Sequence, residues 1–95
     1  MQPEITIYYA SICSLCTKAI TFLRSRNLDF TAKSVTWDEN AGAFHDTPNA
    51  REMMSRCGQT VDFVPQIFVG DTHVPGWRKL EPMIDSGAFD RLISP

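Results

Sequence analysis

The sequence predicts an α/β fold, β-α-β-α-β-β-α, with a four-stranded mixed sheet flanked by helices. Three observations lead there. Short runs of strand formers alternate with segments of helical period. Helix punctuation stands where such segments begin and end, with Thr47-Pro48 before one and Gly58 and Gly87 after two. Gly70-Asp71 separates the last two strand runs by a turn's length, so that pair returns as an antiparallel hairpin. Strands joined through helices imply parallel pairing, leaving the hairpin as the one antiparallel edge.

Residues 4–9 read as the first strand, since Ile5, Ile7, Tyr8 and Tyr9 are strand formers. Residues 13–26 read as a helix, with Ala19, Ile20 and Leu23 at helical spacing and Phe22 alongside. Asn27 is its expected stop, because Asn tolerates the left-handed conformation. Residues 29–35 form a second strand, and the polar, Gly-containing residues 37–46 a loop. Thr47 then caps the free N–H groups of a helix whose first residue is Pro48 and whose apolar stripe is Ala50, Met53, Met54 and Cys57. Residues 64–69 and 72–74 are the third and fourth strands. A helix over 79–86 places Pro82 in its first turn, where the missing N–H costs least, and residues 88–93 add a short last segment.

Ninety-five residues fit one domain, spanning 1–95. A net charge of −2 argues against nucleic acid as a partner, because phosphate binding needs clustered Lys and Arg. The longest mostly apolar stretch, residues 61–69, is broken by Asp62, Pro65 and Gln66 and is too short to span a membrane. Met1-Gln2-Pro3-Glu4 offers neither a basic region nor a long apolar one, so no signal peptide is expected and the cytoplasm is the default compartment. There a close cysteine pair is catalytic or metal-binding more often than structural.

Cys13-Ser14-Leu15-Cys16 follows a strand and opens a helix. Unpaired N–H groups and the macrodipole at a helix start favour negative charge, so a thiol there loses its proton more easily than a free cysteine. Cys16 falls one turn later on the same face. Cys13 is then the nucleophile that forms a mixed disulfide, and Cys16 the thiol that resolves it. A zinc half-site is the rival reading. No second CxxC or CxxH follows, and Cys57 with His45 or His73 matches no common zinc spacing, so no metal is expected.

With these pieces in place the chain resembles the glutaredoxin family over nearly its whole length. The matching pieces are Ile5-Thr6-Ile7-Tyr8 before the CxxC, Val64-Pro65-Gln66-Ile67-Phe68-Val69-Gly70, His73-Val74-Pro75-Gly76, and Ser86-Gly87-Ala88-Phe89-Asp90-Arg91-Leu92-Ile93 at the end. The resemblance implies a thioredoxin-like fold, a cis Pro65 beside the thiols, and a Val64 backbone that pairs with an extended substrate such as glutathione. It also implies glutathione as electron donor, disulfide-bearing proteins as partners, and no tightly bound cofactor.

Four departures bear on the substrate. Ser14 and Leu15 stand where many members have Pro and Tyr; Ala10-Ser11-Ile12 lacks the Lys that often precedes the first cysteine; Phe63 replaces the usual Thr before Val-Pro. The acidic Gly-Gly-x-Asp-Asp loop reads Pro75-Gly76-Trp77-Arg78-Lys79, with its charge reversed. Gly76-Trp77-Arg78 is instead similar to the Ser-Gly-Phe-Arg-Pro segment of NrdH-type redoxins, which thioredoxin reductase reduces. Two expectations follow. Either Val64 and Gly76 hold glutathione with Arg78 on a carboxylate, fed by the glutathione reductase system, or Trp77 and Arg78 dock a protein reductase. A third reading, carriage of an iron–sulfur cluster, is favoured by the small Ser14 and opposed by Cys16. Arg78 is expected near Cys13, supporting its thiolate.

Cys57 is expected to be a buried small hydrophobe, and His45 and His73 to be solvated. Trp37 either closes over the second strand or lies exposed. Tyr8 and Tyr9 read as core strand residues, with Tyr9 within reach of the site's rim.

Overall fold

The computed structural model describes residues 2–94. Its main sheet has four strands, β1 (Ile5–Tyr9), β2 (Thr31–Ser34), β5 (Gln66–Val69) and β6 (Thr72–Pro75), in the spatial order β2-β1-β5-β6. Between β2 and β5 lie a two-stranded ribbon, β3 (Trp37–Asp38) with β4 (Ala43–Phe44), and helix α2 (Pro48–Cys57). Helix α1 (Ser14–Ser25) follows β1, and α3 (Trp77–Ser86) and α4 (Ala88–Ile93) close the chain.

Strand alternation sorts the sheet's side chains into two cores. Ile5, Ile7, Ile67, Val69 and Val74 meet Ala19 and Leu23 of α1, Leu80 of α3 and Phe89 of α4 on one face. Tyr8 and Phe68 meet Val35, Val61 and Ala50 and Met53 of α2 on the other. Three helices thus cover one side and α2 alone covers the second.

β1 pairs in parallel with β2, Thr6 opposite Thr31, as expected for strands joined by a helix. It pairs antiparallel with β5, Ile5 opposite Val69, so the hairpin is not the sheet's one antiparallel pairing. The reason is the path of α2. Asn49 donates to the Ser34 carbonyl on β2, Glu52 meets Lys33 and then Tyr8 of β1, Arg56 lies over the Phe68 ring of β5, and Cys57 reaches His73 of β6. The helix runs across the strands rather than along them. It delivers the chain to the far side of β1 at the end where β2 finished, and β5 enters reversed.

Two further expectations are corrected. Residues 37–46 are not a plain loop: Asp38 Oδ1 accepts from the N–H groups of Asn40 and Ala41 at 3.0 and 3.2 Å, and Gly42 closes the turn at φ 64°. Two-residue strands are too short to show a period, which hid the ribbon. Pro82 is not in a first turn, because α3 begins at Trp77 and not at 79, directly after Gly76 at φ 88°. Pro82 therefore leaves the Arg78 carbonyl without its helical donor. By contrast Thr47 caps Ala50 N–H at 3.1 Å, Gly58 ends α2 at φ 74°, and Asn27 adopts φ 54°.

Tyr8 is fully buried, and its hydroxyl donates to Glu52, which also accepts two bonds from Lys33 at 2.9 and 2.7 Å. Lys33 first, and the Tyr8 hydroxyl second, hold the Glu52 carboxyl below its usual range, while burial pushes the Tyr8 phenol up. A carboxyl whose folded pKa is depressed stabilises the fold above its unfolded value of about 4.3, and that support is lost as pH falls through the folded value. Glu52→Gln is therefore expected to destabilise the protein more at pH 7 than at pH 3, read from urea unfolding at both pH values. An equal loss at both would show that the charge contributes nothing.

Candidate active site

β1 ends at Tyr9, and a tight turn carries the chain into α1, closed by Cys13 N–H on the Ala10 carbonyl at 3.1 Å. Cys13 takes the N-cap position in extended conformation, φ −89° and ψ 113°. Its sulfur accepts the Cys16 N–H at 3.2 Å, the place a Ser or Asp oxygen holds in an ordinary cap. The Cys13 sulfur therefore receives one of the helix's orphan donors and the positive end of its dipole.

Cys16 is 1% exposed. Its thiol is pushed up to about 12, by burial first and by its hydrogen bond to Cys13 next, with the Ala10 backbone partly opposing. It stays protonated at neutral pH and offers its S–H to Cys13. Both cysteines are free thiols.

Across from this pair the Val64–Pro65 bond is cis, as the resemblance implies, and the Val64 carbonyl lies 3.7 Å from the Cys13 sulfur. Phe63 and Val64 form a ridge between two hollows. One, of about 310 Å³, is floored by Ala10 and Cys13 and walled by Ile12, Trp37 and Phe44. The other, of about 430 Å³, is walled by Leu15, Gly76, Trp77 and Arg78. The Phe63 ring packs on Gly76 so closely that a Cβ there would sit 3.3 Å from it.

The predicted residues thus gather around Val64, with Cys13 and Cys16 on one side and Gly76, Trp77 and Arg78 on the other. The bonds made by the Cys13 sulfur are with Val64 and Cys16, and among the described residues none joins it to Arg78. Trp37, undecided from sequence, packs edge-to-face on Phe44 at 4.9 Å. Its place beside Cys13, and that of Phe44, went unread because the ribbon that brings them there was unread. Their signal was two aromatics, Trp37 and Phe44, flanking the Gly42-containing turn of an otherwise polar segment.

His73 and Cys57 depart from expectation. His73 is half-buried, stacks on Phe68 at 4.6 Å and 6°, and lies 2.7 Å from Gln66 Oε1. Its register opposite Phe68 turns it inward, toward α2. Cys57 is half-buried, not fully so, with its sulfur 3.7 Å from both Gln66 Oε1 and His73 Nε2. Burial pushes the Cys57 thiol up and the His73 imidazole down, so both are neutral at pH 7. His45 is exposed, 3.9 Å from Asp38. Among the described residues no three His, Cys, Asp or Glu side chains are grouped to hold a metal ion, and no helix is long and apolar enough to cross a membrane.

A helix-capping sulfur with a second thiol one turn away is equipped to pass between thiol and disulfide, and the sheet order beneath it is the one the thioredoxin-like fold uses. Fold and site together define a thiol–disulfide oxidoreductase. The glutaredoxin profile matches residues 5–74, and a glutaredoxin of Pseudomonas aeruginosa is 31% identical over 94 residues, covering 98% of this chain and 99% of its own. The chain belongs to the glutaredoxin family. The solution structure of glutaredoxin from Brucella melitensis superposes with a TM-score of 0.68 at 29% identity, over 97% of this chain and 89% of that one. A buckwheat glutaredoxin–glutathione complex shares the fold at a TM-score of 0.67 and 12% identity, over 97% of this chain and 76% of its own.

Proposed function

We propose that this chain reduces disulfides by a two-thiol cycle, with Cys13 as nucleophile, Cys16 as resolving thiol and Val64-Pro65 as the substrate platform. The observation that carries the reading is the asymmetry of the pair: one sulfur caps the helix and the other is buried and protonated. Cys13 thiolate attacks a substrate disulfide, forming a mixed disulfide and releasing one substrate thiolate. The Cys13 charge and hydrogen bond that help keep Cys16 protonated vanish at that moment, and the departing thiolate is a ready proton acceptor. Cys16 then attacks the Cys13 sulfur, the second substrate thiol leaves, and the Cys13–Cys16 disulfide holds the two-electron oxidation.

Glutathione is the proposed electron donor, two molecules restoring the dithiol and leaving as glutathione disulfide. Backbone groups of Val64 and Gly76 would hold its extended chain, and Trp77 and Arg78 a carboxylate end. Support comes from the family and from the glutathione carried by the buckwheat relative. No tightly bound cofactor is required, and the proposed setting is the reducing cytoplasm.

Turnover of a small disulfide is expected with glutathione and glutathione reductase. Turnover with thioredoxin reductase alone, run in parallel, would overturn the donor while leaving the two-thiol cycle intact. Colourless protein without visible absorbance is expected as well, and a brown preparation would favour cluster carriage.

A further inference from the structure

Two large apolar side chains stand exposed among the described residues, Ile12 at 87% and Phe63 at 45%. A scattered exposed hydrophobe needs no explanation. These two are not scattered. Ile12 immediately precedes Cys13 and Phe63 immediately precedes Val64, and Cys13 and Val64 face each other at 3.7 Å. Both exposed side chains border the same hollow, whose opposite wall is the Trp37–Phe44 pair. Phe63 also stands where the glutaredoxin pattern has Thr, and Ile12 lies in the Ala10-Ser11-Ile12 segment that lacks the usual Lys.

The wall is built rather than incidental. The ribbon that carries Trp37 and Phe44 sets them opposite each other in register, and Asp38 ties its turn. Asp62 is the charged member of the lining. The hollow is therefore an apolar surface that opens on the reacting sulfur, and its occupant must be bonded to that sulfur or next to what is.

We infer that this hollow takes an aromatic or branched aliphatic side chain two positions from the cysteine of a polypeptide disulfide, and so selects protein substrates with that pattern. The inference rests on Cys13 being the nucleophile. An extended segment paired along the Val64 backbone turns its cysteine toward Cys13, and alternate residues share that face about 7 Å apart. Residues two before and two after the cysteine then fall on either side of it. One of them overlies the space between Ile12 and the Trp37–Phe44 pair. The tripeptide glutathione has no apolar side chain to place there, so the hollow adds nothing to its binding.

The test compares disulfide-linked dimers of two peptides, Phe-Ser-Cys-Ser-Phe and Ala-Ser-Cys-Ser-Ala, in single turnover with pre-reduced protein. Each rate is normalised to the rate at which the free amino acid cysteine reduces the same peptide disulfide, which removes differences in intrinsic reactivity. The Phe peptide is expected to react about tenfold faster. Ile12→Ser and Phe63→Thr are each expected to cut the preference to about twofold, and the ratio is internal to each variant. Equal normalised rates in the unaltered protein, or a preference that survives both substitutions, would overturn the inference. Failure of both peptides to react would instead overturn the assignment of Cys13. No reductase enters the assay, so the choice of electron donor does not affect the outcome.

Discussion

Cys13→Ser is expected to lower disulfide turnover by at least about three orders of magnitude, because a hydroxyl at the helix start is not ionised at neutral pH and attacks no disulfide. Cys16→Ser is expected to differ in kind. The nucleophile remains, its cap N–H remains, and the mixed disulfide still forms, but no second sulfur lies within reach to release it. Mass spectrometry of Cys16→Ser after exposure to a peptide disulfide should show one peptide retained per chain, and Cys13→Ser should retain none. The same asymmetry is visible without mutation. Cys16 is 1% exposed with its thiol pushed up to about 12, so brief iodoacetamide treatment at pH 7 should modify Cys13 and spare Cys16. Prior labelling of Cys16, or turnover by Cys13→Ser, would remove the basis of the two-thiol cycle.

What could be read before the fold was seen follows from how local each determinant is. Thr47-Pro48 and Gly58 act on their own neighbours through caps and φ, and the helix they enclose was legible to the residue. The CxxC was legible for the same reason, since one turn of helix brings Cys13 and Cys16 together. Antiparallel β5 was not legible, because the direction in which α2 crosses the sheet is set by contacts with four strands at once. Nor was the inward turn of His73, which depends on pairing with Phe68 and not on its sequence neighbours. The apolar hollow lay further still from view. Ile12 and Phe63 look in sequence like any hydrophobes, and what sets them apart is that no element covers them.

The second large effect concerns Gln66, fully buried and polar, at the first position of β5. Its Nε2 donates to the Phe63 carbonyl at 3.0 Å, which fixes its Oε1 as the acceptor facing His73 Nε2 at 2.7 Å and Cys57 Sγ at 3.7 Å. The network therefore assigns the His73 proton to Nε2, and a protonated Nε2 cannot take a proton from Cys57. Gln66 thus ties three elements together: α2, the edge strand β6, and the turn that presents Phe63 and Val64 to Cys13. Gln66→Leu keeps the side chain's bulk and leaves the part-buried Phe63 carbonyl and His73 N–H without their partner. Such a group costs about 1–3 kcal/mol when buried and less where water reaches it, so a loss of about 1–3 kcal/mol in urea unfolding is expected, a sizeable part of the roughly 5–15 kcal/mol that holds a typical domain. His73→Phe retains a ring to stack on Phe68 and removes the stranded donor. Combined with Gln66→Leu it is expected to recover at least about 1 kcal/mol of the deficit, because replacing both partners of a buried bond is cheaper than replacing one. Strict additivity of the two substitutions would mean that the amide and the imidazole do not depend on each other.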